Sequence, residues 1–141
     1  MSELGIQKMQ EYLDYYIDEV NRGNRSFTEA LDELVEIERK HNQTRREQAN
    51  VKTANFPFIK TVEDFDFDFQ PDINKKEILE LNTLRFLDRH DNILFVGSSG
   101  TGKTHLATAI GISCAIARNI TYSITFEKLM DQLKSALHEN R

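Results

Sequence analysis

Eight consecutive residues carry the chemistry most readily read from this chain: Gly97-Ser98-Ser99-Gly100-Thr101-Gly102-Lys103-Thr104. They match G-x-x-x-x-G-K-[ST], a loop that cradles the phosphates of a nucleoside triphosphate. The glycines let the backbone turn tightly and bring its N–H groups against phosphate oxygens with no Cβ in the way. A helix opening at Gly102 or Lys103 aims its unpaired N–H groups and positive dipole end at the same oxygens. Lys103 is expected to reach the β- and γ-phosphates as a compact cation. Thr104 is expected to offer its hydroxyl to Mg²⁺, which binds through few protein ligands and keeps its waters.

Such a loop needs a strand before it and a helix after it. The apolar run "NILFV", from Asn92, predicts the strand, and a helix is expected from about Gly102 to Ala117. That helix has an inner face of Leu106, Ala109, Ile110 and either Ser113 or Cys114. "ITYSIT" reads as a second strand and "FEKLMDQLKSALH" as a last helix showing Leu129, Leu133 and Leu137. Upstream, a helix over 73–88 is expected to pack Ile78, Leu81, Leu84 and Leu87 inward. Before it, "VKTANFPFIKTVEDFDFDFQP" is a connector in which Pro57 and Pro71 bar a long helix. The alternation of Phe65, Phe67 and Phe69 with Asp66 and Asp68 suits an extended segment with one apolar face.

The first fifty residues read as helical. Ile6, Met9, Leu13, Tyr16 or Ile17, and Val20 recur at spacings of three and four. Gly23 breaks that helix, and Ser26 with Glu29 forms a capping box that opens the next. Its apolar face is Phe27, Leu31, Leu34 and either Ile37 or Val35. The fold class expected is thus α/β, with an N-terminal helical segment ahead of the first βαβα part of a phosphate-loop parallel-sheet domain. The division is 1–50 helical segment, 51–72 connector and 73–141 N-terminal part of the nucleotide-binding domain.

Composition narrows the classes. No apolar run approaches the roughly eighteen residues of a membrane span, and the opening "MSELGIQKMQEY" does not read as a secretion signal. A single cysteine, Cys114, excludes an intramolecular disulfide framework and suits a reducing, cytoplasmic setting. The net charge of −5 offers no overall attraction to nucleic acid, but it hides segregation. Residues 1–38 carry three basic against ten acidic side chains, whereas residues 39–60 carry six against one.

Arg39, Lys40, Arg45, Arg46, Lys52 and Lys60 make up that basic run. They either meet DNA phosphates, without reading bases, or form a solvated helix end beside acidic residues. The phenylalanines of the connector either stack on bases or pack it onto the nucleotide-binding core, and packing is the better reading. His41, His90, His105 and His138 have no metal-ligand spacing with one another or with Cys114. Cys114 is read as a packing residue.

Three stretches together, "FPFIKTVEDFDFDFQP", "LNTLRFLDRHDNILFVGSSGTGKTHLATAIG" and "LMDQLKSAL", resemble the IstB-like proteins. These are the transposition helper ATPases of insertion sequences, related to the DnaC-type helicase loaders within the AAA+ superfamily. With the helical N-terminus, which resembles the family's adaptor domain, the resemblance covers nearly the whole chain. It implies ATP as the nucleotide, assembly on DNA, self-assembly of the full-length form, and a transposase as partner. His105, which follows the loop as in the family, is counted with the nucleotide-binding residues but given no catalytic role. The family also has a second acidic motif, a polar sensor and an arginine acting on a neighbouring subunit's nucleotide, and none of these is found in these residues. Asp66 and Asp68 precede the loop and do not replace the acidic motif. Phosphoryl transfer depends on positioned charge around the γ-phosphate, so efficient hydrolysis is not expected, and the chain reads as a truncated form. The alternative is a non-enzymatic fragment whose N-terminal helices bind a transposase or DNA. In the AAA+ arrangement the two strands are not neighbours, so their partners are expected to be missing.

Overall fold

The three- and four-residue spacing of apolar side chains at the start of the chain produces helix α1, Gln7–Asn21. The computed structural model describes residues 6–138. α1 ends at Arg22, and Gly23 takes the left-handed conformation with φ 74°. The Gly23 N–H donates to the Val20 carbonyl and the Asn24 N–H to that of Glu19, which satisfies the last carbonyls of the helix. Helix α2, Phe27–Thr53, opens on the expected reciprocal cap. The Glu29 N–H donates to Ser26 Oγ at 3.3 Å, and the Ser26 N–H donates to the Glu29 carboxylate at 2.9 Å. Helix-forming residues then carry α2 on through the basic run.

Two compact units divide the chain, Met1–Arg46 and Glu47–Arg141. The first is built on Tyr16, Ala30 and Leu34, all buried, with Met9, Leu13, Val20 and Ile37 packed against them. Tyr16 rather than Ile17 therefore faces inward from α1. On α2 Ala30 and Leu34 are buried and the half-buried Ile37 packs against them, while Phe27 is 70% and Leu31 44% exposed. Tyr16 Oη donates to Glu33 at 2.7 Å, and Arg25 pairs with the same carboxylate while lying 5.6 Å from the Tyr16 ring centroid.

In the second unit the helices are α3, Lys75–Leu81; α4, Arg85–Asp88; α5, Lys103–Ile116; and α6, Phe126–His138. α5 is the central element, burying Leu106, Thr108, Ala109, Ile110, Ile112, Cys114 and Ala115. It is apolar on more than one face, so both Cys114 and its neighbours lie in the core while Ser113 is half-buried. Around it pack Val62, Phe65 and Ile78, then Phe67, Ile73, Leu81, Leu84, Phe86, Leu87 and Phe95.

The helix expected over 73–88 is two short helices. Asn74 caps α3 by accepting the Lys76 and Glu77 N–H groups, and α3 ends at Asn82. Leu84 sits in the left-handed region at φ 64°, which no continuous helix tolerates. Ser113 Oγ donates to Asn82 Oδ1 at 2.7 Å and ties this break to α5. The Phe/Asp alternation is not an extended strand either. Asp66 Oδ1 accepts the N–H groups of Asp68 and Phe69, and Phe65 N–H donates to the Val62 carbonyl, so the segment closes into turns. Phe65 is buried, Phe67 half-buried and Phe69 exposed.

The expected βαβα sheet is corrected by the structure. Among the described residues there is no strand. "NILFV" and "ITYSIT" remain as connecting backbone. A parallel strand is stable only when neighbours supply its ladder and bury both its faces, and neither segment has such neighbours. Phe95 turns toward the core, but Leu94 is 85% and Val96 82% exposed. Ile120 is fully exposed, and the second segment is held instead by Ser123 N–H donating to the Ala54 carbonyl at 2.7 Å. α6 keeps an apolar stripe but buries none of it. No helix among the described residues is long and apolar enough to cross a membrane.

Candidate functional site

The loop of residues 97–104 lies between the exposed segment 92–96 and the first turn of α5. Gly100 and Gly102 adopt φ of 81° and 83°, the left-handed region in which a side chain is costly. Gly102 is the N-cap of α5, and no side chain caps that helix. Its first backbone bond is from the Leu106 N–H to the Gly102 carbonyl, at 3.0 Å. The N–H groups of the preceding turn thus point out of the helix end, the arrangement that binds anions.

Lys103 folds back over the loop. Its ammonium donates to the Ser98 carbonyl and lies 3.5 Å from Thr101 Oγ1, while Thr101 Oγ1 itself donates to the Ser98 carbonyl at 3.0 Å. Thr104 is exposed at the same helix end, and Ser98 and Ser99 are exposed on the loop. The sequence-predicted set Gly97 to Thr104 is thus one continuous surface of backbone donors, one cation and four hydroxyls. That donor set fits a polyphosphate, and Thr104 is placed where it could add an oxygen ligand to a hydrated divalent cation.

His105 turns from the first turn of α5 toward the connector. Its Nε2 hydrogen-bonds the Thr61 carbonyl at 3.1 Å, and its ring meets Phe58 and Phe65 edge-on, with centroids 6.1 and 5.2 Å away. Phe65 in turn crowds Gly102, where a Cβ would come within 2.4 Å of the ring. A cavity of about 270 Å³ opens between the loop and the connector, lined by Gly100 to Gly102, His105, Lys60 and the connector residues Asp64 to Asp66, Phe69 and Gln70. An open cleft of about 890 Å³ reaches Lys103 and Thr104 from beside Phe56, Phe95 and Tyr122. Sequence reasoning missed the Phe65–Gly102 contact. Its one visible signal was an aromatic run that a solvated connector does not need.

The basic residues differ in how far their charge is already answered. Arg39 holds Glu36 through two hydrogen bonds of 2.8 Å, so its charge is largely answered. Lys40, Arg45 and Arg46 are exposed farther along α2 in the first unit, and Lys52 is exposed in the second. Among the described residues no group of three His, Cys, Asp or Glu side chains is arranged to hold a metal. Burial raises the pKa of the Cys114 thiol, which favours the unreactive form.

The family model of the IstB-like ATP binding protein matches residues 1–141. The chain belongs to the IstB-like ATP-binding family. It is 43% identical over 138 residues to the insertion sequence IS232 ATP-binding protein of Bacillus thuringiensis subsp. berliner, covering 98% of this chain and 55% of that one. It is 45% identical over 119 residues to the IS5376 ATP-binding protein of Geobacillus stearothermophilus, covering 84% and 47%. It is 30% identical over 141 residues to the IS21 ATP-binding protein of Pseudomonas aeruginosa, covering 100% and 53%. This IstB-like chain therefore spans about half the length of these relatives.

Proposed function

We propose that this chain is the ATP-binding part of an insertion-sequence helper protein, holding Mg-ATP at residues 97–104. The observation that carries the reading is the uncapped N-terminus of α5 behind two left-handed glycines, with Lys103 folded over the loop. Loop amides from Gly97 to Gly102 receive the phosphates, Lys103 exchanges the Ser98 carbonyl for phosphate oxygens, and Thr104 binds Mg²⁺. ATP supplies a triphosphate whose charge these residues balance. No group here is assigned to its hydrolysis.

As partners we propose DNA, bound without sequence preference, and a transposase. Of the basic residues, Lys40, Arg45, Arg46 and Lys52 are better placed for phosphate contact than Arg39, because Glu36 already occupies Arg39. A second reading, an interaction module working without nucleotide, is favoured by one observation. α1 and α2 leave an apolar groove of about 350 Å³ between Leu13, Ile17, Val20, Phe27 and Leu31, with Phe27 well exposed.

Titration of the purified chain with a fluorescent ATP analogue tests the first reading. Saturable, Mg²⁺-dependent binding that Lys103→Ala abolishes is the expected result. Absence of binding in a folded parent chain, with transposase binding that survives Lys103→Ala, would leave the second reading standing.

A further inference from the structure

Resting on the ATP-site reading, we infer that His105 is a positioning residue, which pins the connector at residues 58–65 against the phosphate loop and does not touch the nucleotide. Three observations converge on it. His105 Nε2 is 3.1 Å from the Thr61 carbonyl across 44 residues of chain. That carbonyl is itself held in place, because the Asp64 carboxylate accepts the Thr61 N–H at 2.7 Å and its hydroxyl at 3.1 Å, closing a tight turn. Phe58 and Phe65 flank the imidazole edge-on, so the ring has little rotational freedom.

The consequence reaches the loop through Phe65. The same ring that touches His105 occupies the space over Gly102, the left-handed residue on which α5 begins. Moving the turn at 61–65 moves Phe65, and moving Phe65 removes the wall that keeps Gly102 in its conformation. His105 is one residue beyond Thr104 and belongs to the first turn of α5, so the hydrogen bond joins the helix end to the connector directly. A carbonyl only accepts, so Nε2 carries the proton in this bond. The bond sets the loop before any nucleotide arrives, and its contribution appears as ATP affinity through preorganisation.

The test compares the parent, His105→Ala, His105→Gln and Lys103→Ala by hydrogen exchange without ligand and by ATP titration. His105→Ala is expected to speed exchange at residues 58–66 in the ligand-free chain and to weaken ATP about three- to tenfold, the scale of one hydrogen bond. Gln can place an N–H near the Thr61 carbonyl, so His105→Gln is expected to recover part of both. Lys103→Ala is expected to lose ATP while leaving exchange at 58–66 unchanged. Exchange unaltered by His105→Ala, or affinity unaltered despite faster exchange, overturns the inference. Failure of the parent to bind ATP overturns the site reading, while the ligand-free exchange still tests the His105–Thr61 bond. Should His105→Ala not fold, nitrogen chemical shifts of His105 in the parent decide: an Nε2–H tautomer supports the bond and an Nδ1–H tautomer overturns it.

Discussion

The carboxylate of Glu38 accepts the backbone N–H of Met9 at 2.8 Å, from 29 residues away. Ile6, the residue before α1, gives that helix no side-chain cap, and Met9 lies in its first turn. Glu38, buried near the middle of α2, therefore caps α1 from another helix and also accepts from Asn42 at 3.0 Å. A carboxylate is favoured there because the N–H groups at the helix start carry a partial positive charge.

Those N–H groups, Met9 first, hold the Glu38 carboxyl below its ordinary pKa of 4.5. A depressed folded-state value means that the stabilisation is present above the unfolded value and is lost as pH falls through the folded one. Glu38→Gln is expected to lower the melting temperature by several degrees at pH 7, with the difference from the parent shrinking below about pH 4 as the parent protonates. Melts of both proteins across pH 3–7 check this, and a pH-independent difference would sink it.

Gly100 and Gly102 both have positive φ, but a Cβ on Gly100 meets nothing within 4 Å, whereas one on Gly102 meets Phe65. Gly100→Ala is expected to cost about 1–2 kcal/mol for the left-handed backbone alone. Gly102→Ala is expected to cost distinctly more, since Phe65 must leave the core. Denaturant unfolding of the two variants measures the difference, and equal losses would show that the ring moves freely.

Ligand linkage gives a third expectation. Mg-ATP at a hundredfold excess over Kd raises the stability of a folded binder by about 2.7 kcal/mol. The parent melt is expected to move upward accordingly, and that of Lys103→Ala to stay where it is. An equal shift in both proteins would place the nucleotide somewhere other than the loop.

Leu94 and Val96 stand in the connecting backbone before the phosphate loop, both largely exposed to solvent. Exposed apolar backbone of this kind invites pairing with another chain. Leu94→Lys with Val96→Lys is expected to reduce self-association in light scattering while changing stability by about 0.5 kcal/mol or less per site. A large loss of stability would mean that these residues are buried in solution.

Much of the local structure was legible from residue order, because it depends on near neighbours. The Ser26–Glu29 cap, the inward row Met9, Leu13 and Val20, and the helix behind the phosphate loop follow from spacings of three and four, and the Gly23 stop from the residue type. Glycines at 100 and 102 were likewise readable, since a loop that presents its amides to phosphate needs their positive φ. Family membership could be read from three stretches taken together, residues 56–71, 81–111 and 129–137.

What tertiary structure alone decided was whatever needs a distant partner. "NILFV" has the composition of a buried strand, yet a strand exists only by pairing, and no neighbour supplies its ladder. The Phe/Asp alternation has the right period for extended backbone, but Asp66 bonds the N–H groups ahead of it more cheaply as a turn. Glu38 looked like one more acid on a solvated helix until its partner proved to be the start of α1. His105 likewise followed Thr104 in a motif, and its bond to Thr61, far back along the chain, gives it a separate task. Short-range hydrogen bonding and periodicity are written in consecutive residues; strand pairing, long-range capping and side-chain crowding depend on what the folded chain brings alongside.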